Sequence, residues 1–151
     1  MTLLSVRDLS VAFGGREVVR NLSFDLDRGE TLAIVGESGS GKSVSALSCL
    51  RLLPAAGTNP KGRITLDGVS VLDAPEAELM RLRGGVAGMV FQEPMTSLNP
   101  LHTIGKQVAE AITLHRPLSG AALRARVVEC LQRAGIPNAE ERLGAYPHQL
   151  S

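Results

Sequence analysis

At 151 residues, 44% hydrophobic and 21% charged, the chain is long enough to bury a core and has the composition of an ordinary globular protein. Its formal net charge of +1, with arginines scattered rather than clustered, argues against a nucleic-acid or anionic-membrane footprint. No run of about 20 apolar residues occurs and Arg7 and Asp8 interrupt the start, so neither a spanning helix nor a secretory leader is expected. Cys49 and Cys130 fall on the apolar sides of expected helices and read as buried free thiols rather than a disulfide.

In chain order, Leu4 and Val6, then Leu9, Val11 and Phe13, alternate with polar neighbours. Gly14-Gly15 supplies a turn, and Leu22, Phe24 and Leu26 alternate again. Two antiparallel, half-exposed strands are predicted. After a second turn at Asp27-Arg28-Gly29-Glu30, residues 31–35 are apolar without alternation, as in a strand buried on both faces. That segment delivers Gly36-Glu37-Ser38-Gly39-Ser40-Gly41-Lys42-Ser43, the spacing G-x-x-x-x-G-K-S with a strand pattern before it and a helix pattern after it.

The spacing dictates a chemistry. Glycines let the backbone wrap closely around an oxyanion while successive N–H groups point inward, and the start of the following helix adds positive potential. Lys42 is placed to reach the β- and γ-phosphates as a point charge, and the Ser43 hydroxyl to ligand Mg²⁺. A polyphosphate with Mg²⁺ is the implied ligand.

From residue 42 to 53 the apolar residues Val44, Ala46, Leu47, Cys49, Leu50 and Leu53 predict a mostly interior helix closed by Pro54. Residues 55–61 read as loop, and residues 63–66 and 69–72 as a hairpin across Asp67-Gly68. Asp73 and Glu76 have capping-box spacing, so a short helix is expected from about Pro75 to Arg83, ended by Gly84-Gly85. Residues 86–91 read as a second interior strand running into Gln92-Glu93-Pro94, a polar exit where open α/β sheets collect ligand-binding loops.

Beyond Pro100 the pattern becomes helical. Ile104, Val108, Ala111 and Ile112 form one stripe, and Leu123, Val127, Cys130, Leu131 and Ala134 a second, with Ser119 as N-cap and Gly135 just past the end. A third short helix is expected at residues 140–143. His102, His115, His148 and Tyr146 show no metal-ligand spacing and are assigned no chemistry.

Together, the phosphate loop, Phe13 upstream of it, the strand ending in Gln92, the helical half and the terminal Tyr146-Pro147-His148-Gln149-Leu150-Ser151 resemble the nucleotide-binding domain of an ATP-binding cassette (ABC) transporter, over the whole chain. The run Val90-Phe91-Gln92-Glu93-Pro94-Met95-Thr96-Ser97-Leu98-Asn99-Pro100 is similar to the oligopeptide and dipeptide importers, including the microcin C type. The resemblance implies an α/β fold: a P-loop NTPase core with a small antiparallel β lobe and an α-helical subdomain, truncated before the Walker B strand. Residues 1–92 would be the N-terminal part of the ATP-binding core and residues 93–151 the helical subdomain, ending at the start of the signature motif.

The same resemblance implies ATP and Mg²⁺ as ligands, held by positions 36–43. Gln92 would contact Mg²⁺ and the attacking water and couple the site to the transporter. Phe13 matches the aromatic that stacks on adenine, and a core role for it remains equally open. The implied partners are transmembrane permease subunits, a second nucleotide-binding domain and, indirectly, a periplasmic solute-binding protein, with the chain on the cytoplasmic face of the inner membrane. No nucleic-acid partner is expected.

By the family's pattern, the signature glycines, the Walker B acidic pair and the switch histidine are not among these 151 residues. Two descriptions follow: the ATP-binding part of a peptide-importer ATPase, or a chain that holds MgATP weakly and does not hydrolyse it. The family's strand order places two further strands between the phosphate-loop strand and the Gln92 strand. Without them, both apolar segments are expected to lie exposed and the isolated chain to fold poorly. A small P-loop kinase is disfavoured because Arg124, Arg126 and Arg133 lie on a solvated helix face rather than in a lid, and a soluble cassette acting on ribosomes or DNA because of the importer-like run after Gln92.

Overall fold

The alternation that opens the sequence folds as a long hairpin in the computed structural model, which describes residues 1–91 and 97–150. Strand β1 (Thr2–Phe13) pairs antiparallel with β2 (Arg16–Asp27), Val6 opposite Phe24 and Val11 opposite Val19. On its other side β1 pairs with β3 (Gly57–Leu66), Val6 opposite Ile64, and β3 with the short β4 (Val69–Ser70). The sheet order is β2-β1-β3-β4, antiparallel throughout. Val6, Leu9, Val11, Ile64 and Val71 are fully buried beneath it.

Strand β3 starts six residues before the expected Arg63, inside what reads as a loop. The partner explains it: Phe13 and Ala12 of β1 pair with Gly57 and Thr58, so neighbouring backbone supplies the ladder that composition does not announce. Pro60 is tolerated because β4 reaches only Thr65 and Leu66, leaving β3 an edge at that point. Where the β1–β3 register shifts between Arg7 and Ser10, the backbones close in on each other. A β-carbon on Gly62 (φ 108) would stand 2.5 Å from Leu9 Cα and 2.9 Å from the Arg7 carbonyl.

Two expected strands do not form. Residues 31–35 and 86–91 join no ladder beyond an isolated bridge between Arg83 and Ala87. Val35 is 87% exposed and Val90 91%, with Leu32, Ile34 and Phe91 also exposed. Among the described residues no strand lies beside either segment to meet its N–H and C=O groups, so the apolar runs keep strand-like sequence without a sheet to enter.

Helix α1 (Lys42–Ser48) is shorter than the sequence predicts and buries a different face. Ser45 and Ser48 are buried while Ala46 is exposed. The hydroxyls are satisfied within the helix, Ser45 donating to the Gly41 carbonyl at 2.9 Å and Ser48 to that of Val44 at 2.8 Å. Helix α2 (Glu76–Gly85) is helical only to Leu82, since Arg83 is extended (ψ 112) and Gly84 left-handed. Pro75, not Asp73, occupies its N-cap. The expected capping box is therefore absent: Asp73 accepts a hydrogen bond from Ser70, and Glu76 turns to two arginines.

The chain divides into two compact units, Met1–Gly88 and Met89–Ser151. The second is helical: α3 (Ile104–Thr113) and α4 (Gly120–Arg133) pack around Ile104, Val127, Leu131 and Ala139. Ser119 occupies the N-cap of α4, and Gly135, with φ 78, follows its end. Short 3-10 turns at Glu141–Gly144 and Pro147–Gln149 complete it, the first where a third helix is expected. No helix among the described residues is long and apolar enough to cross a membrane.

Two outcomes test this packing. Gly62→Ala drives a β-carbon into backbone atoms that cannot rotate away, so urea unfolding should show a loss of about 2–3 kcal/mol. The Cys49 thiol, part-buried at the end of α1, is pushed up by burial from 9.0 to about 11. The folded state then holds more protons than the unfolded one between these values, so stability falls as pH rises from about 9 towards 11 and no further above it. Comparing the pH dependence of unfolding with that of Cys49→Ala checks the assignment, the difference between them being confined to this window.

Candidate phosphate-binding site

The loop of positions 36–43 leaves the exposed segment 31–35 and ends in the first turn of α1. It is held down at its far end by a close approach. A β-carbon on Gly41 (φ 95) would meet Val19 Cγ2 at 2.5 Å and the Val18 carbonyl at 3.3 Å, so only glycine lets the loop rest on β2. Within the loop the Ser40 N–H donates to the Glu37 carbonyl at 3.3 Å, and the Ser45 N–H to the Gly41 carbonyl at 2.9 Å.

Lys42 folds back across the loop that precedes it. Its ammonium donates to the carbonyls of Gly36 at 2.7 Å and Glu37 at 2.6 Å, and to Ser40 Oγ at 3.3 Å. All three donors are engaged, two of them strongly. The cation is thereby fixed by main chain beside the loop rather than left to sample solvent.

A cavity of ≈240 Å³ lies against the loop, lined by Phe13, Val18, Gly39, Ser40, Gly41, Lys42, Ser43 and Val44. Among the described residues that line it there is one cation and no carboxylate, a field that favours an anion. Of the sequence-predicted site residues, Phe13 and positions 39–43 meet at this cavity, while Gly36 and Glu37 join through the Lys42 ammonium. Ser38 is an exposed part of the same loop but does not line the cavity. Gln92 lies outside the described residues.

Phe13 is half-buried, with its ring edge over Gly57, where an added β-carbon would be 2.9 Å from Cε1. The ring thus packs into the sheet and also lines the cavity, so the core and ligand readings are not exclusive. Val18 is a lining residue that sequence reasoning missed. The signal was the adjacent pair Val18-Val19 in an alternating strand, where one of the two must face outward; Val19 is buried and Val18 is 38% exposed.

Among the described residues no three His, Cys, Asp or Glu side chains converge as a metal site. A divalent ion here would rest on the exposed Ser43 hydroxyl and on oxygens brought by its ligand, the usual manner of Mg²⁺ with phosphates. In the second unit a separate cavity of ≈370 Å³ runs between α3, α4 and the turn at Leu143 and Gly144, and none of the predicted site residues lines it.

Residues 19–151 match the family model described as ABC transporter. The chain is 55% identical over 154 residues to the peptidoglycan transport ATP-binding protein YejF of Agrobacterium fabrum (strain C58 / ATCC 33970), over 99% of this chain and 28% of that protein. It is 44% identical over 154 residues to the oligopeptide transport ATP-binding protein OppD of Bacillus subtilis (strain 168), over 99% of this chain and 43% of that one. Among solved structures it is similar to the dimeric post-hydrolysis state of the ATP-binding cassette MJ0796 bound to ADP and Pi, with a TM-score of 0.81, 26% identity, and coverage of 98% of this chain and 63% of that chain. The chain therefore spans less than half the length of these two curated relatives. With the phosphate-loop sequence folded beside an antiparallel lobe, the cassette fold in common and the family match running from β2 to the last residue, the chain belongs to the ABC transporter family.

Proposed function

We propose that the chain is the ATP-binding part of a peptide-importer ATPase, in which positions 36–43 grip the phosphates of MgATP. The observation that carries this reading is the Lys42 ammonium, anchored on the Gly36 and Glu37 carbonyls with only the 3.3 Å contact to Ser40 Oγ left to yield to a phosphate oxygen. The loop N–H groups surround the anion, and Ser43 holds Mg²⁺ against it. Mg²⁺, when bound, would offset part of the phosphate charge. Phe13 stacks on the adenine beside Val18, and Gln92 contacts Mg²⁺ and the attacking water.

The importer assignment draws on the relative named for oligopeptide transport, and on the importer-like run from Val90 to Pro100. It makes permease subunits and a second nucleotide-binding domain the partners, with a periplasmic solute-binding protein acting through them. The protein then works at the cytoplasmic face of the inner membrane. Residues 1–92 belong to the ATP-binding core and residues 93–151 to the helical subdomain.

A second reading concerns the 151 residues assayed as they stand: MgATP is bound weakly and not hydrolysed. It is favoured by the cavity lining, which among the described residues offers no carboxylate or imidazole to polarise a water. Phosphate release from ATP should stay at the buffer rate, and turnover that disappears in Lys42→Ala would remove this reading.

Titration with a fluorescent ATP analogue tests the site. Lys42→Ala removes a charge-assisted contact worth roughly 2 kcal/mol and should raise Kd about 30-fold. An unchanged Kd would overturn the phosphate-loop assignment. Phe13→Ala should weaken ATP about tenfold while leaving inorganic tripolyphosphate unaffected, since base stacking is worth about 1–3 kcal/mol and the phosphates do not use it. Equal weakening of both ligands would return Phe13 to a purely structural role.

A further inference from the structure

The helix that follows the phosphate loop is closed from outside itself. Helix α1 has seven residues, no side-chain N-cap and no basic residue in its last turn. Isolated helices need roughly twice that length to persist in water, so α1 depends on what holds its ends. At the start, Gly41 rests on β2. At the finish, the chain turns through Arg51, a residue with a β-carbon held at φ 51, with the Arg51 N–H donating to the Ser48 carbonyl at 3.0 Å and the Leu52 N–H to that of Leu47 at 2.9 Å. Glycine is the residue usually found at such a position.

The left-handed Arg51 is secured from both sides. Its own guanidinium donates to the Ala74 carbonyl at 2.7 Å and to Glu76 Oε2 at 3.0 Å. Arg83, at the end of α2, donates from Nε to the Leu50 carbonyl at 2.9 Å and from Nη2 to the Arg51 carbonyl at 2.9 Å, while its Nη1 meets Glu76 Oε1 at 2.7 Å. One guanidinium therefore satisfies two carbonyls just beyond α1 and one carboxylate, and supplies the cation that the last turn of the helix lacks. A strained backbone position secured this heavily, one short helix away from a ligand loop, fits a device that holds the loop in place.

We propose that Arg83 is a positioning residue for the phosphate loop. Through Leu50, Arg51 and Glu76 it keeps α1 wound to its end, and α1 in turn fixes the direction of Lys42 and Ser43, its first two residues. The proposal rests on the reading of positions 36–43 as the phosphate site. Without Arg83 the helix unwinds from its C-terminal end towards Ser43, and the lysine and hydroxyl lose their common orientation. Glu76 holds Arg51 and Arg83 together but touches no backbone atom of α1.

Calorimetric titration of the full chain with MgATP, with hydrogen exchange followed on the same samples, provides the test. Arg83→Met should raise Kd about tenfold and speed exchange of the α1 amides, with the amides of β1 and β3 unchanged. Arg83→Lys keeps the charge but not the three-way fork, and should recover most of the affinity, to within about threefold of the parent. If Arg83→Met fails to fold, Arg83→Lys carries the test alone: a Kd raised two- to threefold with faster exchange confined to α1 supports the proposal. An unchanged Kd, or protection lost equally across the sheet, overturns it. Lys42→Ala run in parallel separates the two assignments, because loss of binding there with no effect at Arg83 rejects the positioning role alone, whereas no effect at Lys42 rejects the phosphate site itself.

Discussion

The seating of Gly41 on β2 is the constraint from which the site is built. Missing one β-carbon, the loop comes within van der Waals reach of Val19 and of the Val18 backbone, and that contact ties a loop exposed from Gly36 to Ser40 to a strand that is zipped to β1. Everything functional in the first unit is referred to this point. Lys42 follows it and reaches back over the loop, α1 starts from it, and Val18, which must face outward because Val19 faces inward, becomes a wall of the cavity. A side chain at position 41 would have to be accommodated by moving either the strand or the helix, and both carry site residues.

The loop, the hairpin and the two helices of the second unit are legible in the sequence because each is governed by near neighbours. The G-x-x-x-x-G-K-S spacing, the alternation from Leu4 to Phe13 and the stripe from Leu123 to Leu131 need no knowledge of the rest of the chain. What was not legible depends on distant partners. Strand β3 begins at Gly57 because β1 is there to receive it, and the left-handed turn at Arg51 beyond the end of α1 is met by Arg83, 32 residues further on. The expected capping box at Asp73 failed for the same reason: Glu76 finds Arg51 and Arg83, both partners that a local reading cannot see.

The two apolar segments at residues 31–35 and 86–91 show the converse. Their composition states that both faces of a strand are to be covered, yet Leu32, Ile34, Val35, Val90 and Phe91 meet solvent while Val86, Ala87 and Met89 are half-buried. Periodicity reports the environment a segment is built for, whereas a ladder requires the neighbour itself to be present. Val35 and Val90 are exposed and neither segment forms a strand, so apolar composition alone did not make one. This exposure also puts a contiguous apolar run immediately before the phosphate loop, where unpaired backbone is prone to association between chains.

How the proposed site would choose its ligand follows from what lines it. The Lys42 ammonium already spends two donors on main-chain carbonyls, so an incoming phosphate displaces only the long contact to Ser40 Oγ and the loop needs little rearrangement. Such preorganisation places selectivity in the polyphosphate tail. At the other end of the cavity stand Phe13 and Val18, a ring and an aliphatic side chain, neither of which can read the hydrogen-bonding edge of a base. A π-face stacks on any purine with similar strength. The residues described here therefore favour discrimination by phosphate number over discrimination by base, and finer selection between purine nucleotides has to come from groups other than those lining this cavity.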